Sequence, residues 1–222
     1  MAPRGKFITF EGLDGSGKST QLQKLADVLR AERMAITCTR EPGGTAVGET
    51  IRNVLLDTAT CGLAPRAELA LMFAARAQHI KEVIQPALDA GHFVLCDRFT
   101  DSSEAYQGGG RQLGSELILE LHRILCGNLQ PDFTILMDSD VAASVNRAKR
   151  RNNLRSEKSG SIEPDENRFE HESRAFFGRV HAAYLAIAAR DRDRVVTVNA
   201  RGTPQQTHEQ IVEIVHRKLK LR

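Results

Sequence analysis

Lys6-Phe7-Ile8-Thr9-Phe10-Glu11-Gly12-Leu13-Asp14-Gly15-Ser16-Gly17-Lys18-Ser19-Thr20 is the stretch on which the reading of this sequence turns. Its first six residues are apolar and β-branched enough to predict a strand, and the helical period from Ser19 to about Glu32 predicts a helix. Between them Gly12–Ser19 matches GxxxxGK[ST] in full, in the strand-to-helix context that a phosphate-binding loop requires. Glycines let the backbone wrap a phosphate chain, so that the amides of Gly12, Asp14, Gly15, Ser16 and Gly17 and the start of the helix at Lys18, Ser19 and Thr20 face the anion. Lys18 would reach the β- and γ-phosphates of ATP, and Ser19 would offer its hydroxyl to Mg²⁺.

Outward from this loop, strand-like and helix-like segments alternate. Further strands are expected at Ala35–Thr39, Phe93–Asp97, Phe133–Asp138 and Arg194–Val198, with helical patterns at about 45–55, 65–89, 114–127, 141–151, 167–190 and 204–219. Strands separated by helices pair in parallel through right-handed crossovers, and apolar runs such as Phe93–Cys96 indicate a sheet covered on both faces. The expected fold is α/β, a doubly wound parallel five-stranded sheet, with residues 1–222 forming a single domain. Asp57–Ala64 reads as a surface loop, and Asn152–Asn167, polar and without period, as a mobile lid or a plain surface loop.

Ligands of open α/β sheets lie beyond the carboxyl ends of the strands, and two such ends are charged here. One is Thr39-Arg40-Glu41-Pro42-Gly43-Gly44-Thr45; the other is Asp97-Arg98-Phe99. Asp97 is placed to hold Mg²⁺ directly or through water, and Arg98 to clamp an acceptor phosphate bidentately, although a structural ion pair would look the same. On the helix 65–89, Arg76 interrupts an apolar stripe of Leu69, Phe73, Ile80 and Ile84. Phe73 and Arg76 suit a base stacked and hydrogen-bonded; an arginine paired to a core carboxylate fits the spacing too. Residues 147–158 carry six cations and one acid, which suits a closing lid, a solvated face or an RNA-binding tract.

The 222 residues, 41% hydrophobic and 27% charged, allow a core of their own. No run approaches the roughly 20 apolar residues of a spanning helix and none resembles a signal peptide, so a cytoplasmic protein with no membrane partner is expected. Four widely spaced cysteines suggest neither a disulfide framework nor a metal site. A net charge of +3 is too weak to imply nucleic acid. None of the seven histidines shows ligand spacing, and all are read as surface or packing residues.

Taken together, Phe10–Thr20, Thr39–Thr45, Phe73-Ala74-Ala75-Arg76, Asp97-Arg98-Phe99 and Ala105-Tyr106-Gln107-Gly108-Gly109-Gly110-Arg111 resemble the thymidylate kinases, in order, from about residue 6 to 215. The resemblance implies a nucleoside monophosphate kinase fold with a lid at about 147–168, a homodimer, and Mg²⁺-dependent transfer of the ATP γ-phosphate to dTMP in dTTP synthesis. Carried onto this chain, it implies that Asp14 approaches the deoxyribose 3′-hydroxyl and that Arg40, Pro42 and Arg98 border the dTMP phosphate. Phe73 would stack on thymine, Arg76 bond its exocyclic oxygen, Ser103 and Gln107 lie at the base edge, Tyr106 crowd a ribose 2′-hydroxyl and Tyr184 border the pocket. Some members place a basic residue in the phosphate loop, and others bring arginines from the lid. Asp14-Gly15-Ser16 resembles the second style, which makes Arg147, Arg151, Arg155 and Arg168 the candidates to assist transfer.

The chemistry agrees, since an acceptor phosphate is already an anionic nucleophile and needs no general base. Two readings compete: a kinase of dUMP or dCMP, and a P-loop ATPase that binds a macromolecule through residues 147–158. A nucleotide-binding scaffold without turnover is opposed by the presence of Lys18, Ser19, Asp97 and Arg98 together.

Overall fold

The computed structural model describes residues 4–159 and 168–220, the side chains of 151–159, 170 and 171 excepted. Five parallel strands, β1 (Phe7–Glu11), β2 (Ile36–Arg40), β3 (Phe93–Asp97), β4 (Phe133–Asp138) and β5 (Val195–Asn199), form one sheet in the order β2-β3-β1-β4-β5. Each lies within one residue, at either end, of the strand expected from the sequence. The helices are α1 (Lys18–Ala31), α2 (Ala46–Leu56), α3 (Pro65–His79), α4 (Gln85–Asp89), α5 (Thr100–Ser103), α6 (Ser115–Cys126), α7 (Val141–Ser159), α8 (Arg174–Arg190) and α9 (Pro204–Leu219).

Strand alternation sorts the core into two layers. Ile8 and Phe10 of β1, with Phe133, Ile135 and Met137 of β4, pack on Leu22, Leu25 and Leu29 of α1 and Ile211 and Val215 of α9. Phe7, Val94 and Cys96 face the other way onto Ile84 and Leu88, while Leu136 and Val195 meet Phe176, Val180, Tyr184 and Ile187 of α8. The sheet thus has the double cover that its apolar strands predict.

One long helix is met with a local change of pitch, and two other segments depart from expectation. The helix expected over 65–89 is a continuous rod, with a π-helical turn at Ile80–Ile84 joining α3 to α4. Residues 100–110, for which no helix is expected, are α5 followed by a π-helical stretch at Glu104–Gly110. The glycines there make room for a neighbour: a Cβ on Gly109 would lie 2.6 Å from the Ala183 Cβ, and one on Gly110 2.5 Å from the Phe176 ring, so α8 packs directly on this backbone. Finally, α7 continues to Ser159 through residues expected to be aperiodic, and α8 begins at Arg174, preceded by a 3₁₀ turn at Arg168–His171. The lid expected over 147–168 therefore begins as helix, and its residues 160–167 lie outside the described residues.

Register sets the site. Arg40 of β2 is paired with Asp97 of β3, and Asp97 with Phe10 of β1, so three strand ends meet at one edge beside the phosphate loop. After β3 the chain crosses to the far side of β1, which makes this edge the switch point at which such sheets hold ligands.

Candidate active site

The loop Gly12–Gly17 leaves β1 with Gly12, Gly15 and Gly17 all at positive φ. At Gly15 both backbone and space demand glycine: φ is +77°, and a Cβ would sit 2.2 Å from the Ser144 carbonyl oxygen of α7. Gly17 caps α1 without a side-chain hydrogen bond, which leaves the first-turn amides free for an anion. Lys18 folds its ammonium back over the loop, donating to the Leu13 carbonyl at 2.8 Å. Burial, joined by the charge of Arg98, pushes that ammonium down to about 8. The Ser19 hydroxyl donates to Asp97 Oδ2, while Asp97 Oδ1 is buried with no partner among the described residues. A hydroxyl beside a half-satisfied carboxylate is a donor set that fits Mg²⁺, a cation commonly held by one or two carboxylates plus substrate phosphates.

Opposite the loop stands Arg98, at φ +73°, a sparsely populated conformation that turns the chain at the end of β3. Its Nη2 donates to Asp14 Oδ1 at 2.7 Å and to the Tyr106 hydroxyl at 3.1 Å. Nη1 donates to Ser102 Oγ at 2.8 Å and to the Tyr184 hydroxyl at 3.1 Å. Both terminal nitrogens are therefore committed to protein partners, and the expected bidentate phosphate clamp requires an exchange of partners. Tyr106 also donates to Asp14 Oδ2 at 3.0 Å. Burial opposes charge on Asp14, yet Arg98 and Lys18 outweigh it and hold the carboxyl well below the usual carboxylate range.

Behind Arg98 lies Glu11, 1% exposed, which was part of the quoted motif but had no role assigned to it from sequence. It accepts from the Phe99 amide at 2.7 Å, Ser102 Oγ at 2.5 Å and the Tyr184 hydroxyl at 3.0 Å. Burial and the neighbouring Asp101 raise its carboxyl to about 7 against the opposing pull of Arg98. Arg40, by contrast, is exposed and paired with Glu49 at 3.0 Å, next to the Pro42 turn, whose peptide bond with Glu41 is cis.

On the α3 side, Arg76 is 2% exposed and has the core carboxylate partner that was one of the two readings from sequence. It is paired to a core carboxylate, Glu41, at 2.7 Å, and its Nη2 donates to Ser103 Oγ at 2.9 Å and the Phe99 carbonyl at 3.1 Å. Its Nη1 is buried without a partner among the described residues. Phe73 does not fit the stacking role expected of it. Its ring is fully buried against Leu69 and Ile118, with the Arg76 guanidinium 4.9 Å above it, so no face is open to a base. The adjacent Met72 packs on the opposite side, against the cluster that contains Leu13 and Tyr106. Gln107, expected at a base edge, gives its amide to Glu68 at 2.8 Å.

The arginines expected of the lid separate. Arg147 lies on the phosphate loop, its Nε donating to the Gly15 carbonyl at 2.8 Å. Arg168 is 5% exposed and is bound to Glu68 at 2.8 Å and the Leu55 carbonyl at 2.5 Å, so in this arrangement it serves packing and not transfer. Arg151 and Arg155 are on α7, but their side chains lie outside the described residues. Glu68 is fully buried and also pairs with Arg111 at 3.0 Å, which makes it a hub that sequence reasoning missed. An acid beside Leu69 at the start of a buried stripe was the available signal.

Comparison with known proteins agrees with this geometry. A family model described as thymidylate kinase matches residues 10–211. The chain is 44% identical over 208 residues to a thymidylate kinase of Pelobacter propionicus, spanning 94% of this chain and 92% of that one. It is 47% identical over 199 residues to one of Desulfovibrio desulfuricans, spanning 90% and 89%. The crystal structure of thymidylate kinase from Ehrlichia chaffeensis superposes with a TM-score of 0.75 at 30% identity, covering 96% of this chain and all of that one. With the phosphate loop, the strand-end arginine and the sheet order all in place, the chain belongs to the thymidylate kinase family.

Proposed function

We propose that the protein transfers the γ-phosphate of Mg²⁺-bound ATP to the 5′-phosphate of dTMP, giving ADP and dTDP for dTTP synthesis. The observation that carries this reading is the bridge from Asp14 of the phosphate loop to Arg98 at the end of β3, which brings a donor site and an acceptor anion site within one hydrogen bond of each other. An acceptor phosphate oxygen attacks the γ-phosphorus, the bond to the β–γ bridging oxygen breaks, and its electron pair leaves with ADP. Lys18 and the loop amides hold the donor phosphates, and Arg98 draws the acceptor anion into line by exchanging protein partners for it. Ser19 and Asp97 would hold Mg²⁺, which neutralises charge on the β- and γ-phosphates when bound.

Arg147 is the lid arginine that the geometry favours for assisting transfer, because it already lies on the loop. Asp14 and Tyr106, tied to each other and to Arg98, would meet the sugar and exclude a 2′-hydroxyl. Met72 takes the base-side position on α3 that Phe73 does not offer. We read the chain as one kinase domain and as a homodimer in the bacterial cytoplasm. Exposed apolar side chains on α2 (Val47, Val54) and α6 (Leu119, Ile124, Leu125) support the dimer. No helix among the described residues is long and apolar enough to cross a membrane.

ADP release from Mg·ATP, measured with dTMP, dUMP, dCMP, the ribonucleotide of thymine and no acceptor in parallel, tests the reading. A strong preference for dTMP is expected. Turnover indifferent to the acceptor would exclude it.

A further inference from the structure

Arg76 is held more completely than a simple ion pair needs. Its guanidinium lies between two rings, 4.9 Å from the centre of Phe73 and 5.2 Å from that of Phe99. The edge carrying Nε meets Glu41 Oε2 at 2.7 Å, and Nη2 is shared between the Phe99 carbonyl and Ser103 Oγ. Only Nη1 lacks a partner among the described residues, although it is fully buried. A charged donor left unsatisfied in the interior is costly unless a ligand completes it.

Glu41 itself is fixed from behind. Its second oxygen accepts from His79 Nδ1 at 3.0 Å, and because a carboxylate only accepts, that ring nitrogen carries the proton. His79 Nε2 meets Thr39 Oγ at 2.6 Å, so the ring is held at both ends and is wholly buried. Gly44 closes over it, since a Cβ there would fall 2.6 Å from Nε2. The chain Thr39–His79–Glu41–Arg76 thus runs from the edge of β2 to an Nη1 whose N–H donors have no partner among the described residues.

We infer that Glu41 and His79 are positioning residues that set the choice of acceptor base, by holding Arg76 so that Nη1 is a fixed hydrogen-bond donor. A fixed donor suits a pyrimidine with a carbonyl at position 4 and rejects one with an amino group there, because donor would face donor and two buried groups would go unpaired. A loosely held arginine could swing away from the wrong base and lose this discrimination. The inference rests on the dTMP reading above, and it adds residues that never touch the nucleotide.

The test compares kcat/KM for dTMP and for dCMP, with KM for ATP, in the parent protein, Glu41→Gln and His79→Gln. In Glu41→Gln the carboxylate charge that anchors Nε is lost, and the amide can bond Arg76 through its oxygen only if His79 changes tautomer, so the fork is held less firmly. Loss of about tenfold or more in the dTMP-to-dCMP ratio, through KM for the acceptor, is expected, with KM for ATP within twofold of the parent. His79→Gln keeps one donor toward Glu41 and should lose less of the ratio, in the same direction; it also guards against Glu41→Gln folding poorly. A parent-like ratio in either folded variant, or equal losses on dTMP, dCMP and ATP, would overturn the inference. If the parent does not prefer dTMP over dCMP at all, the functional reading itself fails and takes this one with it.

Discussion

A guanidinium with four protein hydrogen bonds is already oriented before an anion arrives, and Arg98 has this form. Replacing it by alanine should lower kcat/KM for dTMP by at least a hundredfold, about 3 kcal/mol, while leaving ATP binding within a fewfold. Steady-state kinetics with a nucleotide-binding assay would show this, and parent-like activity at subsaturating dTMP would remove the assignment. Its anchor, Glu11, gives a second expectation. Burial lifts the folded carboxyl from its ordinary value of 4.5 to about 7, so the native state binds the extra proton. The stability this gives is present below the unfolded value and is lost as pH rises through the folded one. Glu11→Gln should therefore gain in melting temperature relative to the parent between pH 5 and pH 8, and a difference independent of pH would refute the shift. The placement of Asp97 and Arg98 was legible in sequence because they close β3, and that of Lys18 because it opens α1 directly after the glycine loop, with little help from the rest of the chain. The partner of Arg76 was not: Glu41 lies 35 residues away, and only the pairing of β2 with β3 brings the two together.

Helices show where pattern reading succeeds and where it stops. The rod over 65–89 was legible because its apolar stripe persists through the π-helical turn. The extension of α7 was not, since a stretch as polar as Asn152–Ser159 gives periodicity nothing to register. The glycines of 108–110 misled in the opposite sense, resembling a loop while serving as a flat seat for α8. Gly109→Val should displace α8, lower stability by about 1–3 kcal/mol, and raise KM for dTMP more than for ATP, because Tyr184 of α8 is bonded to Arg98. Thermal melts with two-substrate kinetics would check it, and an unchanged acceptor KM would separate α8 from the acceptor site.

Across the whole molecule, buried charge ties distant segments together. Glu68 on α3 joins Arg111 after the π-helical stretch to Arg168 before α8, so Glu68→Ala strands two cations and should cost about 3–5 kcal/mol, read as a large fall in melting temperature. Asp14 and Glu41 are both held below the ordinary carboxylate range, burial notwithstanding, by Arg98 and Arg76. Their contribution is full above about pH 5 and is lost as pH falls further, so the melting temperature should drop in acid, and more steeply than in Glu41→Gln. Sheet class and family were legible because motifs mark the ends of successive strands; the order of the strands and the hub were not, because no local pattern fixes the one or links 68, 111 and 168. The contact between Gly15 and Ser144 also constrains how this chain can change. A basic side chain cannot be added to the loop at position 15 by a single mutation without pushing α7 away, and with it Arg147. A chain that seats α7 on a bare loop has closed one route of descent: at this position a cation carried by the loop and Arg147 seated on the loop exclude each other step by step, and passage between them needs coordinated change in both segments.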